Sequence, residues 1–289
     1  MGFIFRLLAH LPLPLLHNLG ALLGWLAYLL SPSYRRHLRE NTAQAGCAAE
    51  RGAAVAEAGK TLLELPKLWL CPQDEVVARV VKVSGWELVE AAWRDGNGIL
   101  FLTPHLGCFE VTAQYYAARK PMTVLYRRPK QAWLGPIIEN GRGANLRLAP
   151  ADVSGVKKLL KALRSGEAVG MLPDQAPKEG EGVWAPFFGK PAYTMTLAAR
   201  LAQTGATVLF AYAERLHYGA GYHLKLFAPA GDVTTPADIN REIEHIVKMC
   251  PEQYLWGYNR YKGTPPQTPL CGVLPPGGQE ALGAARRVS

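Results

Sequence analysis

The chain lacks the short motifs that mark the commonest α/β enzymes. There is no GxSxG, so the nucleophile elbow of an α/β-hydrolase is missing. There is no GxxxxGK[ST], and no GxGxxG follows an apolar run, so neither a P-loop nor a dinucleotide site is supported. HExxH and clustered Cys/His ligands are absent too, and nothing points to a metal. The five cysteines are odd in number, widely spaced and never CxxC, which argues against a disulfide framework or a zinc ribbon. Reduced thiols in a cytoplasmic compartment fit best. Charge is scarce, at 19% of residues, which excludes a coiled coil. An apolar fraction of 49% excludes disorder of the whole chain. At 289 residues, one large domain or one domain plus an anchor is the default.

Acidic residues are outnumbered, 23 against 32, giving a net charge of +9. Residues 119–164 hold eleven basic and two acidic side chains, so the whole excess lies in that block. A positive balance suits nucleic acid, an anionic membrane or an acidic substrate.

Residues 11–30 contain no Asp, Glu, Lys or Arg, a length that spans a hydrocarbon core. Arg35, Arg36 and Arg39 follow at once, as expected on the cytoplasmic side. The stretch ends in Leu29-Leu30-Ser31-Pro32, a poor signal-peptide cleavage site. Pro12, Pro14, His17 and Asn18 weaken a clean span and leave a buried or interfacial helix open. The expectation is a membrane anchor over 1–33, with the main body cytoplasmic.

Residues 34–95 are expected to be mainly helical. From residue 98 the pattern changes to short apolar runs bounded by turn signals, which fit strands buried on both faces. Strands are expected at 98–103, 122–126, 146–149, 168–172, 207–213 and 223–227. Helices are expected at 109–118, 132–140, 154–164, 194–203 and 236–249. This alternation predicts an αβα sandwich around a mostly parallel or mixed sheet of about six or seven strands. The catalytic unit is expected over 34–263, and the Pro/Gly-rich stretch 264–289 reads as a disordered tail.

The first of these strands runs into Thr103-Pro104-His105-Leu106-Gly107-Cys108-Phe109-Glu110. Ligands of open α/β sheets bind at the carboxyl ends of strands, where His105 falls. Glu110 falls in the first turn of the next helix and can meet His105 across the turn. A carboxylate on one imidazole nitrogen fixes the tautomer, and the other nitrogen can take a proton from a hydroxyl. Two other readings stay open here. Glu110 is favourable at a helix N-terminus in any case, and Cys108 offers a Cys–His nucleophile pair.

His105-x4-Glu110 after an apolar strand resembles the HX4(D/E) motif of the lysophospholipid and glycerolipid acyltransferases. Tyr126-Arg127, the run Gly170-Met171-Leu172-Pro173-Asp174-Gln175, Pro186-Phe187-Phe188-Gly189 and Pro251-Glu252-Gln253-Tyr254-Leu255-Trp256 follow in order. Together they resemble the lipid A biosynthesis acyltransferase family, from the N-terminus to about Lys262. Asn259-Arg260-Tyr261-Lys262 keeps only two of the basic residues usual after the last block. The resemblance implies an enzyme moving a fatty acyl chain from acyl carrier protein to a hydroxyl on a lipid A precursor. It implies His105 as general base with Glu110 as its partner, no metal and no other cofactor. The body would lie on the cytoplasmic face of a bacterial inner membrane, with no nucleic-acid partner. Other HX4(D/E) enzymes leave a lysophospholipid or aminolipid acceptor as an alternative. A non-enzymatic binder of anionic membrane or nucleic acid is a further one.

The remaining candidates face the same rim. Arg127 ends a strand and could stabilise the thioester oxygen or grip a phosphate. Arg128 and Lys130 are expected to contact phosphate or membrane. Asp174 and Gln175 follow the strand 168–172; Asp174 could orient Arg127 or an acceptor sugar, or only stabilise a turn. The loop 178–190, with Phe187 and Phe188, is expected to be a flap over the acyl chain, with core packing as the alternative.

Overall fold

The computed structural model describes residues 2–129, 131–141 and 145–265. The chain opens with α1 (Gly2–His10), α2 (Leu13–Leu30), α3 (Pro32–Gln44), α4 (Arg51–Leu70) and α5 (Gln73–Val77). Strands and helices then alternate through β1 (Val80–Ser84), α6 (Trp86–Arg94), β2 (Ile99–Leu102), α7 (Phe109–Ala117) and β3 (Met122–Tyr126). The alternation continues with α8 (Leu134–Asn140), β4 (Leu146–Pro150), α9 (Val153–Arg164) and β5 (Ala168–Met171). A hairpin of β6 (Gly182–Phe187) and β7 (Lys190–Met195) precedes α10 (Leu197–Ala202), β8 (Thr207–Arg215), β9 (Tyr222–Phe227) and α11 (Pro236–Met249). Helix starts are set by chemistry in the sequence. The Asp152 carboxylate accepts the Ser154 and Gly155 amides ahead of α9. Thr235 and Asp238 form a capping box on α11, with Pro236 in its first turn.

The main sheet has seven strands in the order β1-β9-β8-β2-β5-β3-β4. Only the β8–β9 pair is antiparallel. This is the expected αβα architecture. The apolar strands are buried on both faces, as continuous runs require. Leu100, Leu102, Val169 and Met171 enter one core with α9, α10 and α11. Ile99, Phe101, Ala168 and Leu209 enter the other, with Val89 of α6 and Val111 and Tyr116 of α7.

Three features differ from expectation. Val80–Ser84, inside the stretch read as helical, is the edge strand β1. Its Val-Val-Lys-Val run is β-branched but too short to show a period. The segment read as a flap is the β6–β7 hairpin, a separate two-stranded sheet. Phe188 and Gly189 make its tight turn, with φ of 47° and 73°. The Tyr193 hydroxyl accepts the Gly180 and Gly182 amides at 3.0 and 3.1 Å, fixing the approach to the hairpin. Thr194 and Met195, expected to open a helix, instead end β7. Of the stretch read as a disordered tail, residues 266–289 lie outside the described residues.

α2 is long and apolar enough to cross a membrane. It is nevertheless packed along one face, where Leu13, Leu16, His17, Gly20 and Gly24 are buried at helical spacing. Gly20 and Gly24 meet Gly59 of α4 so closely that a Cβ on Gly59 would lie 1.9 Å from the Gly20 carbonyl oxygen. Small residues four apart permit this crossing. The other face leaves Leu15, Leu22, Trp25, Leu26, Leu29 and Leu30 exposed.

Behind that crossing lies a buried ionic network. The Arg215 guanidinium, at the end of β8, forks onto Glu64 at 2.6 and 3.0 Å. It also donates to Glu57 at 2.6 Å and to Thr61 at 3.0 Å. Tyr222 donates to Glu64, and His17 of α2 stands 3.3 Å from the same carboxylate. Burial opposes the Glu64 charge, but Arg215 and His17 overcome it and hold the carboxyl at about 2, below its ordinary 4.5. A depressed carboxyl stabilises the fold above its unfolded pKa and is lost as pH falls through the folded one. Glu64→Gln should therefore melt earlier than the parent chain at pH 7, and the gap should close between pH 4.5 and about 2. Thermal melts across that range check this; a gap unchanged by pH would refute it.

Candidate active site

The site forms where three neighbouring strands end. β2 lies between β5 and β8, all parallel, so their carboxyl ends share one rim. The segment after β2 carries His105, the segment after β5 carries Asp174 and Gln175, and β8 supplies Ala213 and Arg215. Gly107 permits the chain to turn back there. Its φ is +60°, and a Cβ on it would lie 2.1 Å from the Ala213 carbonyl oxygen. The turn is held on all sides. Cys108 N–H donates to Ala213, Gly107 N–H to the Gln253 carbonyl, and Leu255 N–H to the His105 carbonyl.

His105 Nδ1 lies 2.7 Å from Asp174 Oδ1, and the His105 amide donates to Asp174 Oδ2 at 2.9 Å. The Gln175 amide nitrogen lies 3.2 Å from Nε2. These partners select the tautomer protonated on Nδ1, with the Nε2 lone pair accepting from the Gln175 amide. Burial opposes the Asp174 charge, but His105 prevails through its charge and two hydrogen bonds and lowers the carboxyl from its ordinary value. Tyr254 stands beside Asp174, and burial pushes its phenol well up, so it remains a donor. Phe109 stacks edge-on to the imidazole at 4.9 Å.

An apolar cavity opens beside this group. Thr103, Phe109 and Leu172 line it near His105, and Trp86, Phe101 and Tyr116 line it further in. Phe109 and Tyr116 are two turns apart on α7, about 10 Å along its axis. The cavity therefore follows α7 away from the histidine. Gly170 lies on its wall, where a Cβ would meet the Met122 side chain at 2.4 Å.

The other sequence candidates are placed as follows. Glu110 sits in the first turn of α7, as expected, and accepts a hydrogen bond from Trp69 Nε1 at 3.1 Å. Asp174 places a carboxylate on the His105 ring. Arg127 is exposed at the end of β3. Arg128 pairs with Glu139 at 3.2 Å on the surface, where such pairs contribute little. Lys130 lies outside the described residues. Phe187 and Phe188 are buried in the core opposite the cavity, packed on each other at 4.8 Å. Phe187 and Phe188 do not line the cavity; the hairpin turn and the Phe188 amide bond to Glu244 fix them instead. Sequence reading assigned no role to Arg215, Gln253 or Phe109. Gln253 was within a family-like block, whereas Arg215 carried no local signal. Among the described residues no cluster suited to a metal is present.

A histidine held by a carboxylate beside an apolar cavity suits the transfer of an apolar group onto a hydroxyl. Residues 1–263 match the bacterial lipid A biosynthesis acyltransferase family, and the chain belongs to it. It is an acyltransferase. It is 28% identical to the lipid A biosynthesis lauroyltransferase of Escherichia coli K12, over 92% of this chain and 91% of that protein. It is 27% identical to the palmitoleoyltransferase of the same organism, over 91% and 90%. A lipid A biosynthesis acyltransferase of Haemophilus influenzae is 25% identical over 91% and 89%.

The same geometry bears on Cys108. Burial, with the Glu64 charge adding to it, raises its thiol well above the ordinary value. It should resist alkylation at pH 8 in the native protein and react on unfolding, as read by mass spectrometry of the labelled peptide. Rapid native labelling would restore the thiol as a candidate nucleophile.

Proposed function

We propose that this protein transfers a fatty acyl chain from an acyl carrier protein thioester to a hydroxyl of a lipid A precursor, with His105 as general base. The observation that carries the reading is His105, with Nδ1 on Asp174, Nε2 on the Gln175 amide, and its ring against Phe109, which lines the apolar cavity. The acceptor hydroxyl displaces Gln175 from Nε2 and gives it a proton as its oxygen attacks the thioester carbonyl. The C–S bond then breaks, and the imidazolium returns the proton to the departing thiolate. Asp174 holds the tautomer and stabilises the imidazolium. Glu110, five residues on in the HX4E motif, adds a second negative charge that favours the same state. Arg127 grips a phosphate of the acceptor, and the basic block beyond it draws in acidic partners.

The acyl chain lies along α7 in the apolar cavity, with Trp86 and Tyr116 at its inner end. The protein sits on the cytoplasmic face of the inner membrane. Because α2 is packed on one face and bonded through His17 to a buried glutamate, it lies in the interface instead of crossing it. Its exposed leucines enter the acyl layer, and Arg35, Arg36 and Arg39 meet the headgroups.

Mass spectrometry of lipid A from cells with and without the protein tests the acceptor; no change would refute it. With purified enzyme, His105→Ala and Asp174→Asn should each lower turnover by about 10²–10⁴-fold. Near-full turnover of His105→Ala would sink the general-base role. Trp86→Ala should shift the preferred donor to a longer chain. Competition between carrier thioesters of stepped length reads that shift, and an unmoved preference would place the chain elsewhere.

A further inference from the structure

Arg215 and Gln253 lie outside the reacting group, yet they form a continuous hydrogen-bonded route from the N-terminal helices to the catalytic turn. The Gln253 side chain clasps the Arg215 backbone in both directions. Its amide oxygen accepts the Arg215 N–H at 2.8 Å, and its nitrogen donates to the Arg215 carbonyl at 2.8 Å. The Gln253 main-chain carbonyl accepts the Gly107 N–H at 3.1 Å. Tyr254 bridges Leu106, and Leu255 holds the His105 carbonyl. On its other side the Arg215 guanidinium makes four hydrogen bonds to Glu57, Thr61 and Glu64 of α4. Glu64 in turn meets His17 of α2. Arg215 is 3% exposed and Glu64 1%.

A buried ion network of this kind is weak evidence of stability, because apolar residues of similar volume often serve as well. What it supplies is register. The forked geometry fixes α4 against the end of β8, and the Gln253 clasp passes that register to the turn. A catalytic group displaced by an ångström can lose about 10²-fold in rate.

We propose that Arg215 and Gln253 are positioning residues that set the His105 turn against the α2–α4 helix pair. This inference rests on the reading of His105 as general base. Seating of α2 at a lipid surface and orientation of the base are then parts of one rigid unit.

The test uses the full-length enzyme with the carrier thioester that gives the parent chain its highest turnover, and a lipid A precursor as acceptor. Gln253→Ala cuts the clasp and leaves the ion network whole. The double variant Arg215→Met with Glu64→Met removes the fork without stranding a charge at 64 or 215. Both should lower kcat by roughly 10–100-fold with KM within about two-fold. A purely structural role would lower kcat only through the fraction of molecules that stay native, so kcat is divided by that fraction, read by near-ultraviolet circular dichroism. The proposal is overturned by full kcat in Gln253→Ala, or by a reduced kcat that this division restores. Either result leaves the base role standing, since that fails only if His105→Ala keeps its turnover. If the double variant does not fold, Gln253→Ala alone decides.

Discussion

The carbonyl oxygen of Ala213 occupies the place that a side chain at position 107 would need. Only glycine lets the chain pass that point, and passing it turns α7 back along the sheet. Phe109 is thereby laid against His105, and the cavity opens between α7 and the strands. The same close approach brings β8 within reach of Cys108, and the 253–255 segment fills the outer side of the turn. Without it His105 would be a polar residue at a strand end. With it the ring has one nitrogen held by a carboxylate and the other by a neutral amide that a substrate hydroxyl can replace.

Three charged groups at and around the site differ in what water allows them. The Arg215 network is dry, so its geometry is rigid and its charges are fully committed to one another. His105 and Asp174 are half open, with the carboxylate buried and the ring partly exposed. Arg127 and Arg128 are outside, where a pair such as Arg128–Glu139 is screened and free to exchange partners. This gradient runs from fixed scaffold to positioned base to adaptable rim. It suits an acyl transfer, in which donor and acceptor must meet at one point.

Much of the fold was legible because β2, β5 and β8 are continuous apolar runs between turn residues, and such runs have one common solution. The strand-end position of His105, Asp174 and Gln175 followed from that alone. Their mutual contact did not, since Asp174 meets His105 across 69 positions of sequence and only the β2–β5 pairing reveals it. Glu110 is legible as a candidate because it lies five residues from His105, in the first turn of α7. Phe187 and Phe188 are ambiguous in sequence, because an aromatic pair beside glycines reads alike as a lid and as a hairpin turn packed into a core. β1 was hidden by brevity, and Arg215 by having all its ionic partners on a helix that precedes it by 151 residues or more.

That last separation has a meaning for synthesis. Glu64 leaves the ribosome with α4, beside an apolar α2 already able to seek lipid. Arg215 follows 151 residues later, which at 5–20 residues per second is about 8–30 s. Throughout that interval the carboxylate cannot be buried at its final place without stranding a charge. The helix pair must wait, wet and unlocked, until the end of β8 arrives. Closure of the network is thus a late event in the birth of the chain, and it falls to the last strands to fix the first helices.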